Sequence, residues 1–196
     1  MYFGRGVKSL RYDRVKKLTA VILCGSFVLG VFAGVACARL IGTGLLGALS
    51  EEVLARIAKG GVSPLRAVAA CLWPVLAAVS AGMTVYCRAV YPMLFFGRGV
   101  SFAYGVAAVC SCFDGAKGVV ISLGLVAPKN LLLGAGLMVL CMDSFAKTLG
   151  GKRKPEGEQC YVPDSAFYKR SAAAFLLAVM AAGYLVHFSP VVGGLI

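Results

Sequence analysis

Pro128-Lys129-Asn130 places a proline, a cation and an amide side chain inside a long apolar run of the sequence. Proline has no backbone N–H and disfavours helix at the residue before it. We therefore predict two pieces, an entering half-helix over 118–126 and a full helix over 130–147. Backbone that is broken at membrane depth survives only where protein or a polar cavity satisfies it, so this break is the first candidate functional site.

Lys129 has the chemistry to contact an anionic substrate or an ion, and its charge is costly inside a membrane. Asp114 and Asp143 are candidate partners for it. The simpler interpretation, which one isolated charge favours, is a lysine that extends from a shallow re-entrant turn to the outer interface. Asn130 is expected to have a structural role, bonding the carbonyls that Pro128 leaves unpaired.

Residues that would indicate catalysis or metal binding do not form a recognisable pattern. The sequence contains no His-Glu-x-x-His, no Gly-x-Ser-x-Gly and no Walker loop. His187 is the sole histidine, far from the close pair Cys110-x-Cys112, so a zinc site is not expected. The formal dinucleotide fingerprint at 42–47 follows an apolar helix instead of a strand and is attributed to chance. We expect no catalysis, no metal and no cofactor.

The composition requires lipid as the solvent for most side chains. Of the 196 residues, 60% are hydrophobic and 14% are charged, whereas soluble domains carry about 25% charged residues. The net charge of +12 comes from basic clusters that flank apolar segments, as the positive-inside rule expects, and does not indicate nucleic acid. The sequence predicts an all-α, polytopic transmembrane helical bundle.

This bundle has about five spanning helices plus the broken half-helix. A basic cytoplasmic N-terminus, 1–17, precedes a single transmembrane domain over 18–196. The predicted spans are 18–38, 65–87, 99–112, 118–126 with 130–147, and 171–188. The first run is too long for the apolar region of a signal peptide, about 7–15 residues, and is interpreted as an uncleaved helix.

Basic residues also fix the predicted orientation. Fourteen of the 20 lysines and arginines fall in the predicted inner segments 1–17, 88–98 and 147–170, and four fall in the outer segments 39–63 and 113–117. Positive charge stays on the cytoplasmic side. The predicted location is the bacterial plasma membrane, with the N-terminus cytoplasmic and the C-terminus outside, and 88–98 is predicted to be a cytoplasmic turn.

Small residues and short-range pairs indicate how the helices pack. Asp143 and Lys147 are spaced i,i+4 in the favourable order and are expected to pair at the inner helix end. Small residues at close spacing let helices approach in membranes. The predicted packing positions are Gly30, Gly34, Gly97, Gly99, Ser101 and Gly105.

The motifs Phe96-Gly97-Arg98-Gly99-Val100 and Pro128-Lys129-Asn130, together with the overall plan, resemble the stage II sporulation protein M family of endospore-forming bacteria. Phe96-Gly97-Arg98-Gly99-Val100 opens a glycine-spaced helix similar to the Lys-Gly-led helix of the family. Pro128-Lys129-Asn130 is similar to its Pro-Gln-Asn or related triplet, although Lys129 departs from the usual glutamine. The basic N-terminus, one span, a short outer segment and four further apolar segments also match the family plan.

The resemblance implies a non-enzymatic membrane scaffold. In that family the membrane protein anchors and localises stage II sporulation proteins D and P, which cut peptidoglycan during engulfment. The expected partners are therefore the lipid bilayer and these extracytoplasmic hydrolases, without nucleic acid, and an oligomer is left open.

The predicted docking surface is the outer segment 39–63, where apolar residues at helical spacing suggest a short amphipathic helix. A solvated face is the simpler interpretation of its charges. The alternative function is a permease or transporter subunit that uses the break at Pro128–Asn130. The candidate docking residues are Glu51, Glu52, Arg56 and Lys59.

Overall fold

The computed structural model describes residues 3–41, 63–84, 86–113, 115–150 and 164–193, and within these ranges it contains helices and no strand. Five helical stretches are long and apolar enough to cross a membrane, so the predicted all-α transmembrane class is confirmed. The elements are α1 (Phe3–Ile41), α2 (Pro64–Gly82), α3 (Cys87–Cys112), α4 (Gly115–Ile121), a π-helical segment (Ser122–Val126), α5 (Ala127–Gly150) and α6 (Ser165–Gly193).

The central helix of the bundle is α5, which packs against α1, α2, α3 and α6. Its buried stripe repeats at helical spacing, and it faces a core to which α2 and α6 contribute mainly small residues. The opposite faces carry large apolar side chains, such as Trp73 and Leu131, each 72% exposed. In a membrane these faces contact lipid. The α5 stripe consists of Leu133, Leu137, Leu140, Cys141 and Phe145.

The backbones of α1 and α3 meet at three glycines. A Cβ atom on Gly34 would lie 2.7 Å from the carbonyl oxygen of Val100. Side chains at Gly30 and Gly99 would collide with carbonyl groups of the facing helix. These three predicted packing positions therefore lie where the two backbones touch, as small residues in membrane helices allow.

The other predicted packing positions lie elsewhere. A Cβ atom on Gly97 would have no other atom within 4 Å, and one on Gly105 would make an ordinary contact, 3.6 Å from Val126. Gly97 and Ser101 are exposed on α3. Glycine spacing alone therefore did not identify which face of α3 meets α1.

The predicted cytoplasmic turn over 88–98 is wrong, because these residues belong to the continuous helix α3. The chain reverses earlier, since α2 ends at Gly82 and α3 begins at Cys87. Tyr91 is fully buried, and its ring meets that of Phe145 on α5 edge-on, with 6.2 Å between centroids. The segment is helical with Tyr91 packed in this way and with Pro92 inside it. Proline is commonly tolerated in spanning helices.

Two other predicted segments lie at the two ends of α1. This helix runs without interruption from Phe3 to Ile41, so the basic N-terminal residues continue directly into the first span. The predicted amphipathic helix within 39–63, with Glu51, Glu52, Arg56 and Lys59, lies almost entirely outside the described residues.

Candidate functional site

The backbone irregularity predicted at Pro128 lies one turn earlier, as a π-helical segment. The N–H of Ala127 donates to the carbonyl of Ser122, five residues back, which is the π-helical pattern. Pro128 then follows the π-helical segment directly, within a helical stretch that runs without a break from Gly115 to Gly150. The sequence placed the irregularity within about one turn, but the chain stays helical where two separated pieces were predicted.

Tyr184 of α6 replaces the hydrogen bond that Pro128 cannot make. In a regular helix the carbonyl of Gly124 would accept from the N–H of residue 128. Here it accepts from the hydroxyl of Tyr184 instead. Tyr184 was missed by the sequence analysis, although a tyrosine within an apolar helix needs a partner for its hydroxyl.

Asn130 bonds a neighbouring carbonyl and also connects α5 to α3. Its Nδ2 donates to the carbonyl of Val126, the last residue of the π-helical segment, at 2.8 Å. Asn130 therefore bonds the backbone, but not at the carbonyl that Pro128 leaves unpaired, which accepts from Tyr184. Its Oδ1 accepts from Nη2 of Arg98 at 3.2 Å. Asn130 is thus held from both sides.

Arg98 was predicted to lie in a cytoplasmic turn, and the structure places it inside the bundle instead. It is half-buried in the middle of α3, as Lys129 and Asn130 are on α5. Lys129 and Arg98 are close enough to interact electrostatically with each other and with the buried Cys71 of α2. We call Arg98, Lys129 and Asn130 the Arg98 cluster.

The Arg98 cluster lies far from one end of the bundle. At 1.5 Å per residue, Lys129 is about 27 Å along α5 from Lys147. The hydrocarbon core of a bilayer is about 30 Å thick. If Lys147 marks one interface, the cluster lies within the apolar region and nearer the opposite surface.

Asp143 is not the partner of Lys129, contrary to one of the two predicted pairings. Its carboxylate lies 3.3 Å from Lys16, 3.7 Å from Lys147 and 2.6 Å from Arg170. The predicted i,i+4 pair with Lys147 is therefore confirmed, and α1 and α6 add two further cations. The side chain of Asp114, the other predicted partner, lies outside the described residues.

Asp164 extends this group of charges at the start of α6. Its Oδ2 lies 2.5 Å from Lys147, and its Oδ1 accepts from the N–H of Phe167 at 2.9 Å. The hydrogen bond from Lys147 has the largest effect in holding the pKa of Asp164 below its ordinary value, and the hydrogen bond from the N–H of Phe167 adds to it. We call Asp143 and its neighbours the Asp143 cluster; it consists of Lys16, Asp143, Lys147, Asp164 and Arg170.

Two findings limit the class of protein. Five helical stretches define a multi-pass membrane protein. Among the described residues, no group of three His, Cys, Asp or Glu side chains is arranged to hold a metal ion. No family model, no curated protein and no solved structure matches the chain.

Proposed function

We propose that the chain is a non-enzymatic scaffold of the bacterial cell membrane that anchors and localises peptidoglycan-degrading proteins during endospore engulfment. The N-terminus is cytoplasmic and the C-terminus extracytoplasmic in this proposal. The motif resemblance to the stage II sporulation protein M family motivates it, and the proposed partners are hydrolases like stage II sporulation proteins D and P.

The observation that carries the proposal is the way α1 is fixed to the bundle. Gly30, Gly34 and Gly99 bring the backbones of α1 and α3 into direct contact. The segment 42–62 joins the end of α1 to the start of α2, so both of its ends are attached to packed helices. A partner bound to a segment that is attached in this way is held at the site of the bundle in the membrane.

The charges at the other end of the bundle agree with the proposed orientation. The Asp143 cluster draws cations from α1, α5 and α6. Arg88 of α3 donates to the carbonyl of Thr148 beside it. Cytoplasmic ends of membrane helices carry this excess of lysine and arginine, which leaves segment 42–62 on the outer side.

Co-purification with an extracytoplasmic peptidoglycan hydrolase tests the docking surface. A variant with Glu51→Lys, Glu52→Lys, Arg56→Glu and Lys59→Glu reverses the charges of the segment while leaving the described helices unchanged. We expect it to lose the hydrolase while remaining in the membrane fraction. The matched control reverses Lys152, Arg153 and Lys154 to glutamate, on the proposed cytoplasmic side, and should retain the hydrolase. Equal retention by both variants would contradict the docking surface.

The Arg98 cluster favours a second candidate function, a permease or a transporter subunit. Transporters commonly place substrate sites beside interrupted helices, and the cluster adjoins the π-helical segment. In reconstituted vesicles, Lys129→Gln should abolish the flux of an anionic solute, whereas Lys117→Gln, at an exposed position of α4, should not. Absence of flux in the unmodified protein would exclude this candidate.

A further inference from the structure

Two cations share one region of the bundle without a carboxylate partner in the described part of the chain. The carboxylates there are Asp13, Asp143 and Asp164. Asp143 and Asp164 are both bound within the Asp143 cluster, about 20 Å of helix from Asn130. The side chain of Lys129 makes no hydrogen bond or ion pair with a described residue. The side chain of Arg98 makes one hydrogen bond with a described residue, Asn130.

This arrangement leaves many donors unused in an apolar region. A guanidinium has five N–H groups and an ammonium has three, and neither side chain accepts hydrogen bonds. Charges inside membranes normally have a partner or a route to water. The positive charges of Lys129 and Arg98 also repel each other, and an anion bound by both would satisfy the donors and offset the repulsion.

The geometry favours an oxyanion over a point charge such as chloride. Arginine binds phosphate through two parallel N–H groups, and lysine adds a charge without a fixed direction. Asn130 holds Arg98 by one Nη atom, which orients the guanidinium before a ligand arrives. Because both cations are half-buried, part of each remains accessible.

We propose that Arg98, which Asn130 orients, and Lys129 together form a binding site for a phosphate-type oxyanion within the membrane bundle. The oxyanion comes either from a phospholipid headgroup or from solution. Arg98 and Lys129 are each half-buried, so an oxyanion from either source can reach them. The site uses the same residues as the permease alternative, but it requires binding and not transport.

Thermal melting in dodecyl maltoside micelles, which contain no phosphate group, tests the site with two probes. One arm adds inorganic phosphate, and the other adds phosphatidylglycerol to the micelles. We expect a concentration-dependent rise of the melting temperature in at least one arm. A rise with phosphate alone assigns the site to a free anion, and a rise with phosphatidylglycerol alone assigns it to a headgroup.

Variants separate the site from general surface attraction. Lys129→Gln should bind the effective probe about tenfold more weakly, because it removes one charge-assisted hydrogen bond to the anion. Lys117→Gln removes a cation from an exposed position on the same helical stretch and should bind like the unmodified protein. Since Lys129 bonds no described residue, Lys129→Gln is expected to fold even if Arg98→Gln does not.

Three results would overturn the proposal. They are a flat melting temperature in both arms, unchanged binding by Lys129→Gln, and an equal loss of binding by Lys117→Gln. Binding without solute flux would support the site and exclude the permease, whereas an absence of binding together with flux would do the reverse.

Discussion

The Asp143 cluster and the Arg98 cluster differ in whether their charges are neutralised by neighbouring side chains. Asp143 is 8% exposed and is surrounded by three cations from three helices. Arg98 and Lys129 are two cations, and the only neutral amide bonded to either in the described residues is that of Asn130, which accepts from Arg98. The first cluster is complete without a ligand, whereas the second has donors left over in the described structure. Charges of one sign within a bundle indicate a binding site more strongly than a neutralised group does.

Asp143→Asn should give the largest loss of stability, because it leaves Lys16, Lys147 and Arg170 near one another without an anion. Removing one member of a buried ion pair costs about 3–5 kcal/mol. We expect about 3 kcal/mol, since the partner side chains are 29–36% exposed. Denaturant unfolding in mixed micelles measures it. The control, Asp13→Asn, changes an exposed carboxylate of α1 and should change stability by less than about 0.5 kcal/mol. Equal effects would show that Asp143 is not the centre of the cluster.

Gly99→Ala should cause the next largest loss of stability, because α1 and α3 meet at this residue. Helix α1 carries Lys16 of the Asp143 cluster, and α3 carries Arg98. An added methyl group collides with the backbone of Phe27, and overpacking costs about 1–3 kcal/mol. Gly97→Ala, two residues away and with open space around it, is the matched control. It should be neutral or stabilising, because alanine favours helix over glycine by about 1 kcal/mol. If both variants lose stability equally, the α1–α3 contact is not at these glycines.

Tyr184→Phe tests the backbone beside the Arg98 cluster and should cost about 1 kcal/mol, the usual contribution of one hydrogen bond. The variant leaves the carbonyl of Gly124 without its hydroxyl partner. Tyr168→Phe, an exposed tyrosine at the other end of α6, should have no effect. Adding Pro128→Ala restores a backbone N–H and should reduce the cost of Tyr184→Phe. A cost that is unchanged in the double variant would separate Tyr184 from the proline.

Asp164 provides the smallest effect, on the exposed edge of the Asp143 cluster. Lys147 and the N–H of Phe167 lower its pKa in the folded protein. A carboxylate whose pKa is lower in the folded protein stabilises the fold fully at any pH above its unfolded-state pKa, about 3.9 for aspartate. This stabilisation is lost as the pH falls through the lower pKa of the folded state. Melting temperatures in that acidic window should fall more in the unmodified protein than in Asp164→Asn, which keeps an N-cap residue. Parallel curves would contradict the assignment.

Local patterns in the sequence predicted much of the fold. Apolar run lengths predicted five spans, and the proline predicted an irregular backbone within about one turn of its position. The i,i+4 spacing predicted the pair of Asp143 with Lys147, which lies within one helix. Three of the glycines predicted for packing lie at the contact of α1 with α3.

Contacts between distant helices could not be predicted from spacing. Tyr91-Pro92 between two arginines resembles a turn, but it lies inside α3, where Tyr91 packs against Phe145. This error placed Arg98 outside the membrane and concealed its contact with Asn130. Tyr184 and Gly124 are likewise 60 residues apart, so no local pattern connects them.

The stability of Lys129→Met in dodecyl maltoside micelles, without phosphate or phospholipid, tests the contrast between the two clusters most directly. Methionine keeps the approximate shape of the lysine stem and removes its charge. If the Arg98 cluster lacks a neutralising partner, removing this charge should raise the free energy of unfolding, by about 1 kcal/mol or more. Asp143→Asn, measured under the same conditions, should lower it. A loss of stability by Lys129→Met similar to that of Asp143→Asn would mean that Lys129 already has a partner, and it would contradict the account.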